Sequence, residues 1–371
     1  MNTPVTATTN EPAQAKLSTL DRFLPVWIIA AMVLGLLLGR LVPGLGAALD
    51  SIKIADVSLP IALGLLVMMY PVLAKVRYNE TGRVLADKKL MITSLLINWL
   101  AAPAFMFALA WLFLPDLPEY RTGLIIVGLA RCIAMVLIWN DLACGDREAA
   151  AVLVAINSVF QVLAFGLLGW FYLQWLPNLL GLPTTSGEFS FWAITLSVLV
   201  FLGIPLLAGF LTRTIGEKTK GRTWYEDRFL PKIGPFALYG LLFTIVLLFA
   251  LQGDEITSNP LNVARIALPL LIYFIVVFAF GMIVGRALHL GYEKTTTLAF
   301  TAAGNNFELA IAVAIGTYGV ASGQALAGVV GPLIEVPILV ALVYVALWSR
   351  RRFFPEFAGG QMAPNRQESH S

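Results

Sequence analysis

Apolar residues run along this chain in long blocks separated by short polar clusters. Ten blocks, at about residues 24–42, 57–75, 90–114, 122–142, 149–175, 190–212, 233–251, 266–285, 295–318 and 326–348, are long enough to cross a hydrocarbon core of about 30 Å. The block from Ile266 to Gly285 contains no charged residue. The pattern predicts an all-α integral membrane protein of ten transmembrane helices, because lipid offers unpaired backbone groups no partner and helices satisfy their own. Residues 1–19 are polar and rich in Thr, Asn, Ala and Pro, which predicts a disordered N-terminal segment. They lack the basic-then-apolar order of a cleaved signal peptide, so the first span is expected to be retained. The membrane domain is expected over 20–350 and a short tail over 351–371.

The blocks also repeat. Leu95-Leu96-Ile97 returns as Leu270-Leu271-Ile272 and Ala104-Phe105 as Ala279-Phe280, both 175 residues on. Pro60, Ala62, Leu63 and Leu66 return at the same offset as Pro235, Ala237, Leu238 and Leu241. At an offset of 174, Thr122 meets Thr296, Leu124 meets Leu298, Cys132 meets Asn306 and Gln161 meets Glu335. Identities among Leu and Ala are cheap in so apolar a chain; the stable offset carries more weight. Two units follow, about 20–176 and 188–350, of five spans each. An odd number of spans turns the second unit upside down, which is the inverted-repeat architecture of many secondary transporters.

Composition and charge sharpen this picture. Residues of the hydrophobic class make up 58% of the chain and charged residues 13%, against roughly 25% charged in soluble domains. Twenty of the 25 Lys and Arg residues fall on one side of the predicted bilayer, only Arg40, Lys53, Arg121 and Arg265 fall on the other, and Arg131 remains within it. Basic excess marks the cytoplasm, so both termini are expected there, in a cell inner (plasma) membrane. The net charge of +3 is then a topology signal and implies no nucleic-acid partner.

Two blocks carry residues that lipid does not accept without reason. Arg131-Cys132 lies in the fourth, and Asn305-Asn306-Phe307-Glu308 lies in the ninth. An ionisable group near the bilayer centre costs roughly 2.5–3.5 kcal/mol on insertion scales, so such residues face a cavity or a partner. The repeat pairs these two spans, so two independent patterns point to one site. Helical spacing puts Asn305 and Glu308 on one face with Asn306 pointing elsewhere, while Gly304 could open the backbone. A carboxyl that is neutral in lipid and charged in water is a candidate proton carrier; the other reading of Glu308 is a structural hydrogen-bond group. Cys132 reads either as a small buried hydrophobe or, beside Arg131, as a sulfur suited to a soft, thiophilic substrate. Arg131 could pair with Glu308 or Glu335 as a gate, or contact substrate oxygens. Trp139 is two helical turns beyond Cys132, and Asn157 and Gln161 share a face of span five. Asn98 and Pro103 interrupt span three, and Gly331-Pro332 to Pro337 is expected to kink span ten around Glu335.

The stretch from Gly128 through Arg131, Cys132 and Trp139 to Asn140, followed by Asp141, resembles the fourth span of the arsenical-resistance permeases. These belong to the bile acid/arsenite/riboflavin transporter superfamily. Gly304 to Ala312 resembles the family's ninth span and Gly331 to Pro337 its tenth, and the likeness covers about residues 20–350. It implies ten spans in two inverted five-helix units whose fourth and ninth helices are broken and cross. It also implies export of arsenite, and in some members antimonite, in exchange for protons, by alternating access. The implied metalloid residue is Cys132 and the implied proton-coupling residue Glu308, with Glu335 beside it. Arg131, Trp139, Asn98, Asn157, Asn305 and Asn306 complete the expected substrate site. The resemblance leaves the number of subunits open.

Other readings stay open at this point. A sodium-coupled organic-anion symporter on the same fold would use Asn305, Asn306, Glu308 and Gln161 as sodium oxygens, and a channel would show flux without concentrative work. An enzyme has little to stand on. The only histidines are His289 and His370, no metal-site spacing is present and no nucleotide-binding loop is visible. No cofactor is expected.

Overall fold

The computed structural model describes residues 23–354, apart from 43, 46–47, 49–52, 55–56, 77–86, 134, 185–189, 259 and 321. The expectations for residues 1–19 and for the tail beyond 354 lie outside the described residues. Among the described residues the regular structure is helical, apart from one pair of two-residue antiparallel strands, β1 (Lys53–Ile54) and β2 (Val57–Ser58). The first half holds α1 (Leu24–Leu41), α2 (Leu59–Ala74), α3 (Lys88–Phe113), α4 (Pro118–Leu129), α5 (Met135–Leu142) and α6 (Arg147–Leu179). The second holds α7 (Phe191–Lys220), α8 (Leu230–Ser258), α9 (Pro260–Ala287), α10 (Gly291–Ala303), α11 (Phe307–Tyr318) and α12 (Gly323–Phe353).

Polarity is distributed as lipid requires. Leu163, Leu112 and Ile283 are 78%, 71% and 67% exposed, while Arg131, Asn98 and Gln161 are fully buried. Apolar surface on this extent would drive a water-soluble protein to associate; against acyl chains it is the solvated face. Six helical stretches (Lys88–Phe113, Arg147–Leu179, Phe191–Lys220, Arg222–Gly253, Pro260–Ala287 and Gly323–Phe353) are long and apolar enough to cross a membrane. This is a multi-pass membrane protein.

Local sequence explains where helices start and how they bend. Side chains of Asp87, Asp146, Ser190 and Ser322 accept the backbone N–H groups of Leu90, Ala149, Ala193 and Ala325, capping α3, α6, α7 and α12. Four π-helical turns, Ile97–Ala101, Phe171–Trp175, Leu199–Gly203 and Tyr225–Phe229, each end two residues before a proline: Pro103, Pro177, Pro205 and Pro231. A proline ring clashes with the carbonyl four residues back, here Trp99, Leu173, Phe201 or Asp227. Widening the turn around that carbonyl relieves the clash without ending the helix. The expected interruption at Asn98 and Pro103 is therefore such a widened turn. Around Pro332 and Pro337 the helix also continues, from Gly323 to Phe353.

Two packing groups result. In one, α1 and α2 pack on α8, with α7 against α2. In the other, α4, α9 and α11 pack on α12, α10 packs on α9, and α3 joins α4 and α9. Gly331 lets α11 approach α12. A Cβ there would lie 1.7 Å from Cε1 of Phe307, so the ring occupies the space that a side chain would take.

Candidate functional site

Both polar-bearing spans are broken at their polar residues. α4 ends at Ala130 (φ −85°, ψ 111°) and α10 at Gly304 (φ −70°, ψ 144°), each in extended backbone. The two breaks lie antiparallel and pair at Arg131 and Asn305. The Cys132 N–H donates to Gly304 O (3.3 Å) and the Asn306 N–H donates to Ala130 O (3.0 Å). Neighbouring helices complete the arrangement in matching fashion. The Arg131 N–H donates to Oε1 of Gln161 (2.9 Å) and the Asn305 N–H to Oε1 of Glu335 (3.2 Å). An unpaired backbone group in lipid costs several kcal/mol, and these four bonds supply partners that the missing helical turns withhold. Every residue of each bond has its counterpart 174 positions on: Ala130 and Gly304, Arg131 and Asn305, Cys132 and Asn306, Gln161 and Glu335.

The Arg131 side chain turns away from both expected acidic partners. Its Nη1 donates to Tyr273 Oη (2.8 Å) and Ala302 O (3.2 Å), and its Nη2 to Gly128 O. Helices α4, α9 and α10 are thereby tied to one guanidinium. The gate pairing with Glu308 or Glu335 is replaced by neutral oxygens, which a planar fork of five donors can satisfy.

The expected facing of the asparagines is also reversed, because helical spacing does not apply across a break. Asn305 points into the crossing, where its Nδ2 donates to Val127 O (2.7 Å) and Ala130 O (3.2 Å). Asn306 is the N-cap of α11 and accepts from Leu309 N (3.0 Å). Asn306 and Glu308 both line a cavity of about 340 Å³, together with Met68, Lys75, Ile133, Asp141 and Gly234. Glu335 is buried and does not line the cavity. Lys75, Asp141 and Gly234 lie at the helix ends on the side with the basic connections, so the cavity reaches Glu308 from that side.

Cys132 is 2% exposed and does not line the cavity, although its neighbour Ile133 does. Gly304 packs on it; a Cβ at 304 would lie 3.0 Å from Cys132 Cβ and 3.5 Å from Sγ. Cys144, the other cysteine, is exposed at the end of α5 with φ 56°. Trp139 is buried and does not line the cavity, to which α5 contributes Met135, Leu137, Ile138 and Asp141. Asn98 donates to Ser94 O (2.9 Å) and Oγ (3.1 Å), and Asn157 accepts from Trp99 Nε1 (3.0 Å). The Asn98, Trp139, Asn157, Asn305 and Asn306 side chains each retain one buried polar atom without a partner, as does Arg131 at Nε. Among the described residues no group of three or more His, Cys, Asp or Glu could hold a metal ion.

Sequence reasoning missed Tyr273, Trp99 and the Thr297 hydroxyl, which donates to Asn140 Oδ1 (2.7 Å). Tyr273 was findable, since the 175 offset places it opposite Asn98. Trp99 and Thr297 carry no such mark in an apolar span.

The chain matches the Sodium Bile acid symporter family over residues 62–259, more than half its length. It is 64% identical over 341 residues to arsenical-resistance protein Acr3 of Corynebacterium glutamicum, covering 92% of each chain. It is 34% identical over 350 residues to arsenical-resistance protein Acr3 of Alkaliphilus metalliredigens, covering 91% of this chain and 95% of that one. An uncharacterized transporter of Synechocystis is 36% identical over 362 residues, covering 91% and 92%. A polar crossing of two broken helices inside a multi-pass membrane protein thus coincides with near full-length similarity to transporters, and the chain belongs to the arsenical-resistance permeases of the Sodium Bile acid symporter family.

Proposed function

We propose that this protein exports arsenite from the cytoplasm in exchange for protons, by alternating access around the crossing of the two broken helices. The observation that carries the reading is the contact between the breaks. Cys132, the one buried thiol, is hydrogen-bonded through its backbone to Gly304, and Glu308 lines the cavity four residues further on. The similarity to two proteins named for arsenical resistance supports the substrate. Ten crossings in two inverted five-helix units are supported by the hydrogen bonds that repeat at the 174 offset. The charge bias supports cytoplasmic termini.

The chemistry suits the task. Arsenous acid is neutral at physiological pH and needs no charged clamp. One soft sulfur attracts trivalent arsenic without the grip of three converging thiols, and the Asn306 side chain at the cavity offers a hydrogen-bonding group for the substrate's hydroxyls. The conformation described has its cavity on the basic side and its thiol covered, so metalloid binding requires the crossing to open. A proton on Glu308 and metalloid at Cys132 favour opposite-facing states. Glu335, the acceptor of the Asn305 N–H, is the second acid assigned to proton coupling. The sodium-coupled reading is disfavoured, because Gln161 Oε1 is already engaged by Arg131 N and the Arg131 guanidinium is held on Ala302 O, in the last turn before the second break; like charge repels a second cation there.

Inverted membrane vesicles test this. A pH gradient, acid inside, is expected to drive arsenite uptake with no sodium present. Because a neutral molecule enters as a proton leaves, the rate is expected to rise with an inside-positive potential. Uptake that follows a sodium gradient and ignores the pH gradient would overturn the proposal.

A further inference from the structure

We propose that the groove between α9 and α12 holds one anionic phospholipid of the leaflet on the basic side of the membrane. The groove encloses about 650 Å³ on the lipid-facing surface and is lined by apolar side chains, Ile275, Ile283, Ile338 and Val345 among them. From Ile275 to Arg286 is eleven residues of helix, about 16 Å at 1.5 Å per residue. That matches one leaflet, half of a hydrocarbon core of about 30 Å. The groove therefore runs from the bilayer centre to one interface, as an acyl chain does.

Its interfacial end is cationic. Arg286 lines it, exposed, with its guanidinium over the Phe353 and Phe354 rings (5.2 and 5.7 Å) and Nη1 donating to Phe353 O. Arg350 lies over Tyr292 (5.3 Å), and Arg351 and Arg352 are exposed beside it on the last turn of α12. Among the described residues none of these four arginines is in an ion pair, and no carboxylate lines the groove. The C-termini of α9 and α12 bring roughly half a negative charge each, well short of four positive ones. Trp348, 59% exposed, sits where interfacial aromatics anchor a helix. An apolar slot one leaflet deep, closed by surplus arginine, matches a lipid with a phosphate headgroup. A second copy of this chain matches it poorly, since a two-fold contact would set the arginine clusters against each other.

The test uses the full chain, purified and reconstituted in nanodiscs of mixed phosphatidylglycerol and phosphatidylcholine, then released for native mass spectrometry. The expected result is one phosphatidylglycerol retained per chain in preference to phosphatidylcholine. Arg351→Gln with Arg352→Gln is expected to weaken that retention roughly 30-fold, the summed effect of two arginines at an anionic surface. Ala341→Trp, which fills the groove, is expected to abolish retention of both lipids. Thermal unfolding in pure phosphatidylcholine should be unchanged in both variants, which separates lost lipid from lost fold. Equal retention of the two lipids by the wild type would overturn the proposal, as would a dimer that Ala341→Trp dissociates.

Discussion

Two glycines govern how close the side chains at the crossing can come, and each makes a separable prediction. Gly304 has φ and ψ that alanine adopts freely, so Gly304→Ala tests contact alone. Its new methyl group meets Cys132 at 3.0 Å and must displace it. Arsenite transport is expected to fall at least tenfold while the thermal unfolding midpoint moves by only a few degrees. Gly331→Ala is different in kind, because it collides with the Phe307 ring inside packed helices. Overpacking of this sort costs roughly 1–3 kcal/mol. Phe307→Leu in the same chain is expected to recover part of that loss, as a double-mutant cycle of unfolding midpoints would show. What the sequence revealed at this level followed from cost. Arg131, Cys132 and Glu308 were visible because an apolar span makes any polar residue conspicuous. Their directions were not visible, because the break at Gly304 cancels the helical spacing from which facing is inferred.

The paired breaks differ in one respect that their symmetry brings out: the acceptor is the amide Gln161 in one half and the carboxyl Glu335 in the other. Glu335→Gln keeps an acceptor for Asn305 N and is expected to leave the unfolding midpoint near wild type. Glu335→Leu strands that buried N–H and is expected to destabilise by roughly 1–3 kcal/mol. Transport by Glu335→Gln is expected to depend less steeply on pH than wild-type transport, and Gln161→Glu to steepen it, as initial rates across a pH series would record. At the basic face, Lys294 at the start of α10 binds Asp87 at the cap of α3 (2.6 Å), and this hydrogen bond, ahead of all other causes, holds the Asp87 carboxyl below its ordinary range. A depressed carboxyl stabilises the fold above its unfolded pKa of about 3.8 and loses that contribution as pH falls below it. The pair is partly exposed, worth roughly 0.2–1 kcal/mol. Asp87→Asn keeps the cap, and its unfolding midpoint in detergent is expected to fall slightly at pH 7 and to match wild type near pH 2. The repeat offset gave the pairing of the broken helices; it could not give their strand-like contact, since backbone exchange leaves no residue-type signature.

Across the whole molecule, the distribution of polarity and charge was the most readable property, because lipid imposes it on every helix at once. Six long apolar helices, the shorter α1 and α2, and two broken pairs fall where the apolar blocks run. The π-helical turns and the one-leaflet groove were hidden, since both depend on how helices sit against one another. If both termini are cytoplasmic, a fluorescent reporter fused to either end is expected to report the cytoplasm and a periplasm-dependent reporter to stay silent. Metalloid and proton meet at one crossing in the proposed cycle. The measurement to make is arsenite uptake into inverted vesicles under an imposed pH gradient, for wild type, Cys132→Ala and Glu308→Gln at equal amounts of folded protein in the membrane. The account predicts gradient-driven uptake by wild type that is lost in both variants; undiminished uptake in both would contradict it.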